Sequence, residues 1–433
     1  MVQRLNIGLI GAGTVGGGVI KVLNSRQEYF NRELGLSVHL ERVVDKDTEL
    51  FSKLPVGDAQ CSTDIEDILG DDTIPIVVEL IGGTTFAKKL VIDALNRGKH
   101  VVTANKALIA EHGPEIFETA AKNGVSVYFE AAVGGGMPVI KAIREGLVGN
   151  DIVSIKTIIN GTCNYILTRM TQDGRAFNDV LKEAQVKGYA EADPTLDVGG
   201  GDTAHKVAIM ASLTSNGYVP YEKISCEGIT AIAKEDIDYA NELGYTIKLL
   251  GVIKKSSDES VDVRVHPVML SDDHILASVS NEFNAVLLEG DSVGEVLLYG
   301  KGAGELPTAS AVVSDIIDVA RNMVSQDPVR IPTDHYSSKR AVPVTSMDQI
   351  SGRYYMRFSV ADVPGVLATI TKFLGDEGIS IASVIQREID LEERVPVIIV
   401  THHAAEKGIR TAIEQIEKTD FIRARTQVIR IED

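Results

Sequence analysis

A chain of 433 residues with 44% hydrophobic and 24% charged side chains is long enough for two or three domains, each with its own core. Its net charge of −18 argues against a non-specific hold on nucleic acid or an anionic membrane, and no run approaches the ~18 apolar residues of a membrane span. Three scattered cysteines, Cys61, Cys163 and Cys226, point to a reducing compartment, and no basic-then-apolar leader is seen, so a soluble, cytoplasmic protein is expected.

Leu5 to Ile10 forms an apolar run that ends in Gly11-Ala12-Gly13-Thr14-Val15-Gly16 and gives way to a helical spacing through Val19, Ile20, Val22 and Leu23. Strand, glycine turn and helix is the context in which this spacing binds a dinucleotide. Gly11 makes the turn, Gly13 lets a pyrophosphate approach the backbone, and Gly16 lets helix pack on strand. A second strand, Ser37 to Val44, ends at Asp45, where a carboxylate suits ribose hydroxyls and favours NAD over NADP. Lys46 beside it tolerates a 2′-phosphate, so the choice stays open; a plain turn residue accounts for Asp45 equally simply. Strands at Ile76 to Ile81 and His100 to Thr103 flank a helix over Ala87 to Asn96. The first of them runs into Gly82-Gly83-Thr84-Thr85, where Thr84 is a candidate cofactor contact, and the second into Ala104-Asn105-Lys106.

Alternating strands and helices predict a doubly wound parallel sheet with ligands at the strand C-terminal ends. Lys106 is then a candidate for touching cofactor or substrate, against the alternative of an exposed loop lysine. Tyr128 to Ala132 reads as a further strand, feeding Val133-Gly134-Gly135-Gly136-Met137-Pro138 and a helix through Ile143. Three glycines expose carbonyls that suit a hard cation, with Glu130 as compensating charge. A tight strand-to-helix crossover explains the same residues.

From Asn150 the texture changes. A β-like run over 152–160 ends in Asn160-Gly161-Thr162-Cys163-Asn164-Tyr165, whose first three residues have the form of a glycosylation sequon, expected to be unused in a cytoplasmic chain. Helical segments and strands at 245–254 and 261–268 build a mixed α/β region. Gly300-Lys301-Gly302-Ala303-Gly304 leads through Pro307 into an apolar helix, Ala309 to Met323, expected to return the chain to the nucleotide domain. Residues 331–350 read as a linker. Beyond it, strand, helix, two strands, helix and strand follow in the ferredoxin-like βαββαβ order of a small separate domain.

The densest stretch is Lys182 to Lys206, which gathers Glu191, Asp193, Asp197, Asp202 and Lys206 between Gly188, Pro194 and Gly199-Gly200-Gly201. Asp202 and Lys206 are four apart and share one helix face. A lysine held among carboxylates at a loop mouth can work as an acid/base; a solvated ion pair at a helix start is the plainer alternative.

That stretch resembles the signature of homoserine dehydrogenases: Ala184, Gly188-Tyr189-Ala190, Asp193-Pro194, Asp197-Val198, Gly200, Asp202 and Lys206 match it position for position. GTCNYIL, EAAVGGGMP, ANKALIA and GKGAGELPTAS are also similar to that family, and the tail resembles an ACT amino-acid-sensing domain. The resemblance implies a Rossmann-type domain over 1–133, completed by about 305–330. A substrate-binding and dimerisation domain over 134–304, a linker over 331–350 and an ACT domain over 351–433 are implied with it. It also implies reversible NAD(P)-dependent interconversion of L-homoserine and L-aspartate 4-semialdehyde in a homodimer or homotetramer.

By the same resemblance, Lys206 handles the proton on the substrate oxygen with Asp202 as partner. Gly188, Glu191, Asp197 and Lys106 hold the substrate. Gly11, Ala12, Gly13, Thr14, Val15, Gly16, Asp45, Lys46, Thr84, Lys106 and Gly302 line the cofactor. Glu130, Val133, Gly135 and Met137 hold a monovalent cation, sodium or potassium, mainly through carbonyls. L-threonine is the expected ACT effector, with Asp362-Val363-Pro364-Gly365 as its loop; a dimerisation module without ligand is the alternative there. Many members carry an arginine after the second strand where this chain has Asp45-Lys46, which weakens an NADP assignment. For the chain as a whole, the competing reading is a non-catalytic, amino-acid-responsive binding protein on the same scaffold.

Overall fold

The computed structural model describes residues 3–215, 217–256, 260–325, 340–387 and 394–432. Six strands, β1 (Gln3–Ile10), β2 (Leu36–Val44), β3 (Gln60–Ser62), β4 (Ile76–Glu79), β5 (His100–Thr103) and β6 (Val127–Tyr128), form one parallel sheet in the order β3-β2-β1-β4-β5-β6. This is the Rossmann strand order, and its switch point lies beside β1, at the glycine turn. Every residue of β4 is buried, as the unbroken apolar run of a strand covered on both faces requires. The helix Glu305–Ser325 packs along the first helix, Thr14–Leu34, so the late chain does return to this sheet. Their approach depends on Gly18: a Cβ there would lie 2.7 Å from the Glu305 carbonyl oxygen. Pro307 falls in the first turn of the helix, where its missing N–H costs nothing.

The expected strand over Tyr128 to Ala132 is corrected here. β6 stops at Tyr128, and Glu130–Ala132 is a turn of 3₁₀ helix. Asp315 accepts the Glu130 N–H at 2.8 Å, while the Glu130 carboxylate accepts the Ile140 and Lys141 N–H groups at 2.8 and 2.9 Å. These bonds draw the chain out of the sheet. Because the segment is buried on all sides, its apolar pattern is that of a strand even though its backbone is not.

The second sheet contains β7 (Ile152–Ile158), β8 (Ser225–Cys226), β9 (Tyr245–Lys255), β10 (Val261–Ser271), β11 (Phe283–Gly290), β12 (Gly294–Lys301), β13 (Ser351–Val360), β14 (Ile381–Gln386), β15 (Val395–Thr401), β16 (Ala404–Ala405) and β17 (Ile422–Glu432). It runs β12-β11-β7-β9-β10-β17-β13-β15-β14, with β8 beside β10 and β16 beside β13. The C-terminal unit has the expected βαββαβ order, with helices Val366–Asp376 and Glu406–Ile416. It is not detached, however. β17 pairs in parallel with β10, Val268 against Arg430, Met269 against Ile431 and Leu270 against Glu432, so one sheet spans both units.

Ion pairs reinforce this seam. Glu432 binds Arg264 and Lys254, each at 2.7 Å, and Arg430 reaches Glu227 at 2.9 Å. Burial opposes ionisation of Glu432, but Lys254 and Arg264 outweigh it and hold the carboxyl below its usual range. A second tie joins Asp236, on the helix Lys234–Glu242, to the Arg357 guanidinium at 2.6 and 2.9 Å. Of the expected linker, residues 331–339 lie outside the described residues. Ala341 and Val344 form bridges to Tyr218 and Val261, which pin the described remainder to the middle of the molecule.

Candidate active site

The cofactor end follows from three glycines with different duties. Gly11 has φ +98°, and a Cβ there would meet the Leu80 backbone at 2.7 Å. Gly13 has open space where its Cβ would be, the free approach a pyrophosphate needs. A Cβ on Gly16 would fall 2.0 Å from the Gly11 carbonyl oxygen, so only glycine lets the helix start there. Thr14 and Val15 open that helix, with Ala12 buried behind them. Asp45 stands at the end of β2 and ties the loop: its carboxylate accepts the Ala12 N–H at 2.6 Å and the Asp47 N–H at 2.9 Å. Lys46 is exposed and sits over the Phe86 ring.

Across the switch point, buried Glu79 ends β4. It accepts the Thr103 hydroxyl at 2.6 Å and the Ile81 N–H at 2.9 Å, fixing the loop that carries Thr84. Burial pushes its carboxyl upward against these bonds. Asn105 donates to the Gly83 carbonyl at 2.6 Å and caps the helix Lys106–Lys122 through Leu108 N–H, which aims Lys106 from the helix start.

The segment ending in Lys206 meets that helix. Gly200, at φ +87°, turns the chain into the helix Gly201–Thr214, which packs on Lys106–Lys122. Lys206 donates to Asp202 at 2.7 Å and to the Ile159 carbonyl at 2.8 Å; Lys106 approaches the other Asp202 oxygen at 3.1 Å. Burial would raise the Asp202 carboxyl, but Lys206 and then Lys106 outweigh it and hold it well below the usual carboxylate range. Lys206 keeps only 12% of its side chain exposed and Lys106 keeps 33%. The pair is a desolvated ion pair and not the solvated surface pair that the spacing alone also allowed. Asp197 stands next to it, its carboxyl pushed up by burial while a bond from Asn160 opposes the shift.

Gly188 and Glu191 lie on the preceding loop, both exposed, Gly188 at φ +76°. Thr162 donates to the Tyr189 carbonyl at 2.6 Å and Gln185 to the Glu191 carbonyl at 3.1 Å, so this loop is fastened beside the cluster by its backbone. The glycine run is equally constrained. Gly134 and Gly135 have φ of +78° and +55°, and a Cβ on Gly135 would lie 2.3 Å from the Gly302 carbonyl oxygen. Gly136 donates to the Lys301 carbonyl at 3.1 Å, which brings Gly302 against Val133 to Met137. The Glu130 carboxylate is turned to Ile140 and Lys141, so only its carbonyl can serve with those of Val133, Gly135 and Met137. Among the described residues no cluster of three histidine, cysteine or carboxylate side chains has metal-binding geometry.

Comparison with known proteins finds matches along almost the whole chain. The description "Homoserine dehydrogenase, NAD binding domain" matches residues 11–130, "Homoserine dehydrogenase" residues 138–317 and "ACT domain" residues 354–421. The homoserine dehydrogenase of Neisseria gonorrhoeae is 45% identical, with 99% of each chain covered. The chain belongs to the homoserine dehydrogenase family. The crystal structure of a homoserine dehydrogenase from Thiobacillus denitrificans superposes with a TM-score of 0.93 at 44% identity, covering 100% of this chain and 99% of that one. A hyperthermophilic archaeal homoserine dehydrogenase in complex with NADPH has a TM-score of 0.62 at 26% identity, over 73% of this chain and 98% of that one.

The enzyme is thus an NAD(P)-dependent oxidoreductase that interconverts L-homoserine and L-aspartate 4-semialdehyde, with an ACT domain that fits allosteric regulation. The non-catalytic alternative finds no support. No described helix is long and apolar enough to cross a membrane.

Two residues escaped the sequence reading. Asn160 was visible only as a sequon, although an Asn-Gly-Thr before a helical run is also a capping signal. Glu79 was hidden inside an apolar strand, where nothing local distinguishes a structural carboxylate.

Proposed function

We propose that Lys206 is the proton donor and acceptor of homoserine dehydrogenase chemistry in this chain, with Asp202 as its fixed counter-ion. The observation that carries this is the buried Asp202 carboxylate shared between Lys206 and Lys106, which holds two ammonium groups side by side at one site. When bound, NAD(P) supplies or accepts the hydride; Gly11 to Gly16, Asp45, Lys46, Thr84 and Gly302 are its holding residues. In semialdehyde reduction Lys206 stabilises the developing alkoxide and protonates it. In homoserine oxidation it must first be neutral to take the hydroxyl proton, so oxidation quickens as pH rises. Lys106, at the junction of the two sheets, orients the reacting carbon between cofactor and substrate. Glu191 pairs with the substrate ammonium, with Gly188 and Asp197 completing that end.

The same reading divides the chain into a nucleotide domain over 1–133, completed by 305–330, a catalytic domain over 134–304 and the regulatory unit over 351–433. It assigns a sodium or potassium ion to the carbonyls of Glu130, Val133, Gly135 and Met137, each of which keeps a lone pair for a hard cation. L-threonine is the effector proposed for Asp362 to Gly365, where Gly365 opens a helix at φ +95°. A homodimer or homotetramer is proposed with it, its main contacts through the domain over 134–304. Three free cysteines support a cytoplasmic setting.

The test follows reduced-nicotinamide absorbance with L-homoserine, using NAD and NADP separately, in the wild type and in Lys206→Met. Loss of ~10²–10⁴ in kcat with unchanged cofactor binding is expected for a general acid/base. Near-wild-type turnover in Lys206→Met would overturn the role. Threonine inhibition that vanishes in Asp362→Ala supports the effector loop, and sedimentation gives the oligomer.

A further inference from the structure

The Asn160 side chain belongs to neither the cofactor nor the substrate assignments, yet it is buried and both of its polar atoms are hydrogen-bonded. Its Oδ1 accepts the Cys163 N–H at 2.7 Å and so caps the helix Gly161–Asp173. That cap fixes the orientation of the amide: with the oxygen held at the helix start, the NH₂ must point the other way. It points at two carboxylates. Nδ2 donates to Asp197 Oδ1 at 2.7 Å and to Asp202 Oδ2 at 2.8 Å, the same Asp202 oxygen that accepts from Lys206 at 2.7 Å.

We propose that Asn160 is a positioning residue of this reaction, dividing one amide NH₂ between Asp197 and Asp202 and so fixing the carboxylate that partners Lys206. The inference rests on the Lys206 reading above. A buried carboxylate, Asp202, and a half-buried one, Asp197, this close repel, and the strain is relieved either by a proton or by a donor placed between them. A neutral donor does so without adding a charge, which leaves Lys206 free to lose and regain its proton. An aspartate at 160 would keep the cap but turn an oxygen toward both carboxylates. The other groups facing Asp202 and Lys206 are Lys106, Asp197, Cys163 and the His205–Glu111 pair, none of which supplies a neutral NH₂. The thiol of Cys163 is pushed well up by burial, and so stays neutral beside them.

The experiment measures kcat for homoserine oxidation across pH in Asn160→Asp, Asn160→Ser and Lys206→Met, with thermal melting of each. Both Asn160 variants retain an N-cap oxygen, so a purely capping role predicts wild-type kcat and an unchanged pH profile. The positioning role predicts that Asn160→Asp moves the half-maximal pH upward by about one unit or more, because added negative charge holds the Lys206 proton. It predicts that Asn160→Ser loses ~10–10² in kcat with a smaller change in KM, as the carboxylate drifts from its partner. Superimposable pH profiles for wild type and Asn160→Asp, with Lys206→Met inactive, overturn this proposal alone. An active Lys206→Met overturns the reading beneath it instead. If Asn160→Ser melts too low to assay, Asn160→Asp decides.

Discussion

Replacing Asp236 by alanine removes the tie between the helix Lys234–Glu242 and the C-terminal unit. Asp236 is fully buried, while Arg357 keeps 18% of its side chain exposed. The change deletes two charge-assisted bonds from Arg357, at 2.6 and 2.9 Å, a 3.2 Å bond from the Tyr355 hydroxyl and a 2.9 Å bond from the Ala233 N–H. Removing one partner of a buried pair costs roughly 3–5 kcal/mol because the other charge is stranded. Residual exposure of Arg357 and the nearby Glu235 charge soften this, so the lower end, about 3 kcal/mol, is expected. Urea unfolding followed by far-UV circular dichroism measures it, since the chain has no tryptophan. The double variant Asp236→Ala/Arg357→Met leaves no stranded cation and should recover about half of the loss. A loss under about 1 kcal/mol in the single variant, or no recovery in the double, would mean that Asp236 and Arg357 do not form a stabilising buried pair.

Gly16→Ala should raise the dinucleotide KM at least tenfold while leaving the homoserine KM near its starting value, because the new Cβ would sit 2.0 Å from the Gly11 carbonyl; nucleotide fluorescence titration checks it. Asp202→Asn should lower kcat/KM by ~10²–10³ and shift the oxidation profile to lower pH, since the shared anion is gone; steady-state kinetics across pH test both effects. Burial pushes the Glu130 carboxyl from 4.5 up to about 7, so the folded state binds the extra proton and stability should fall as pH climbs through that window. The decline is about 3 kcal/mol by the unit-shift conversion, and urea midpoints at pH 4.5 and 7 should lose most of that difference in Glu130→Gln. Truncation after residue 330 should give an aggregating protein, because it opens the β10 edge and strips Arg264 and Lys254 of Glu432; light scattering reads the outcome. Effector binding is therefore better tested by point changes in the Asp362–Gly365 loop.

The signals that were local in the chain were readable in it. Glycines in a fixed order after an apolar run have one use at the head of a parallel sheet, and Gly11, Gly13 and Gly16 each play the steric part that their spacing implies. Asp202 and Lys206 were placed on one face by helical geometry, and the fold class follows from strands alternating with helices. The resemblance carried the substrate-binding roles, whereas Lys106 was set apart from any loop lysine only by its place at the end of a parallel strand.

Contacts between distant segments could be seen only in the folded chain. Whether Asp202 and Lys206 form a surface pair or a desolvated one depended on the helix Lys106–Lys122 packing against them, which no spacing encodes. Asn160 gains its two carboxylates from residues 37 and 42 positions away. Glu130 leaves its strand because Asp315, from a helix late in the chain, takes its N–H. The C-terminal unit reads as separate because its own βαββαβ pattern is complete, yet β17 lies beside β10 and makes one sheet of two units. Periodicity reports which face of an element is buried, and it carries no record of what that face is buried against.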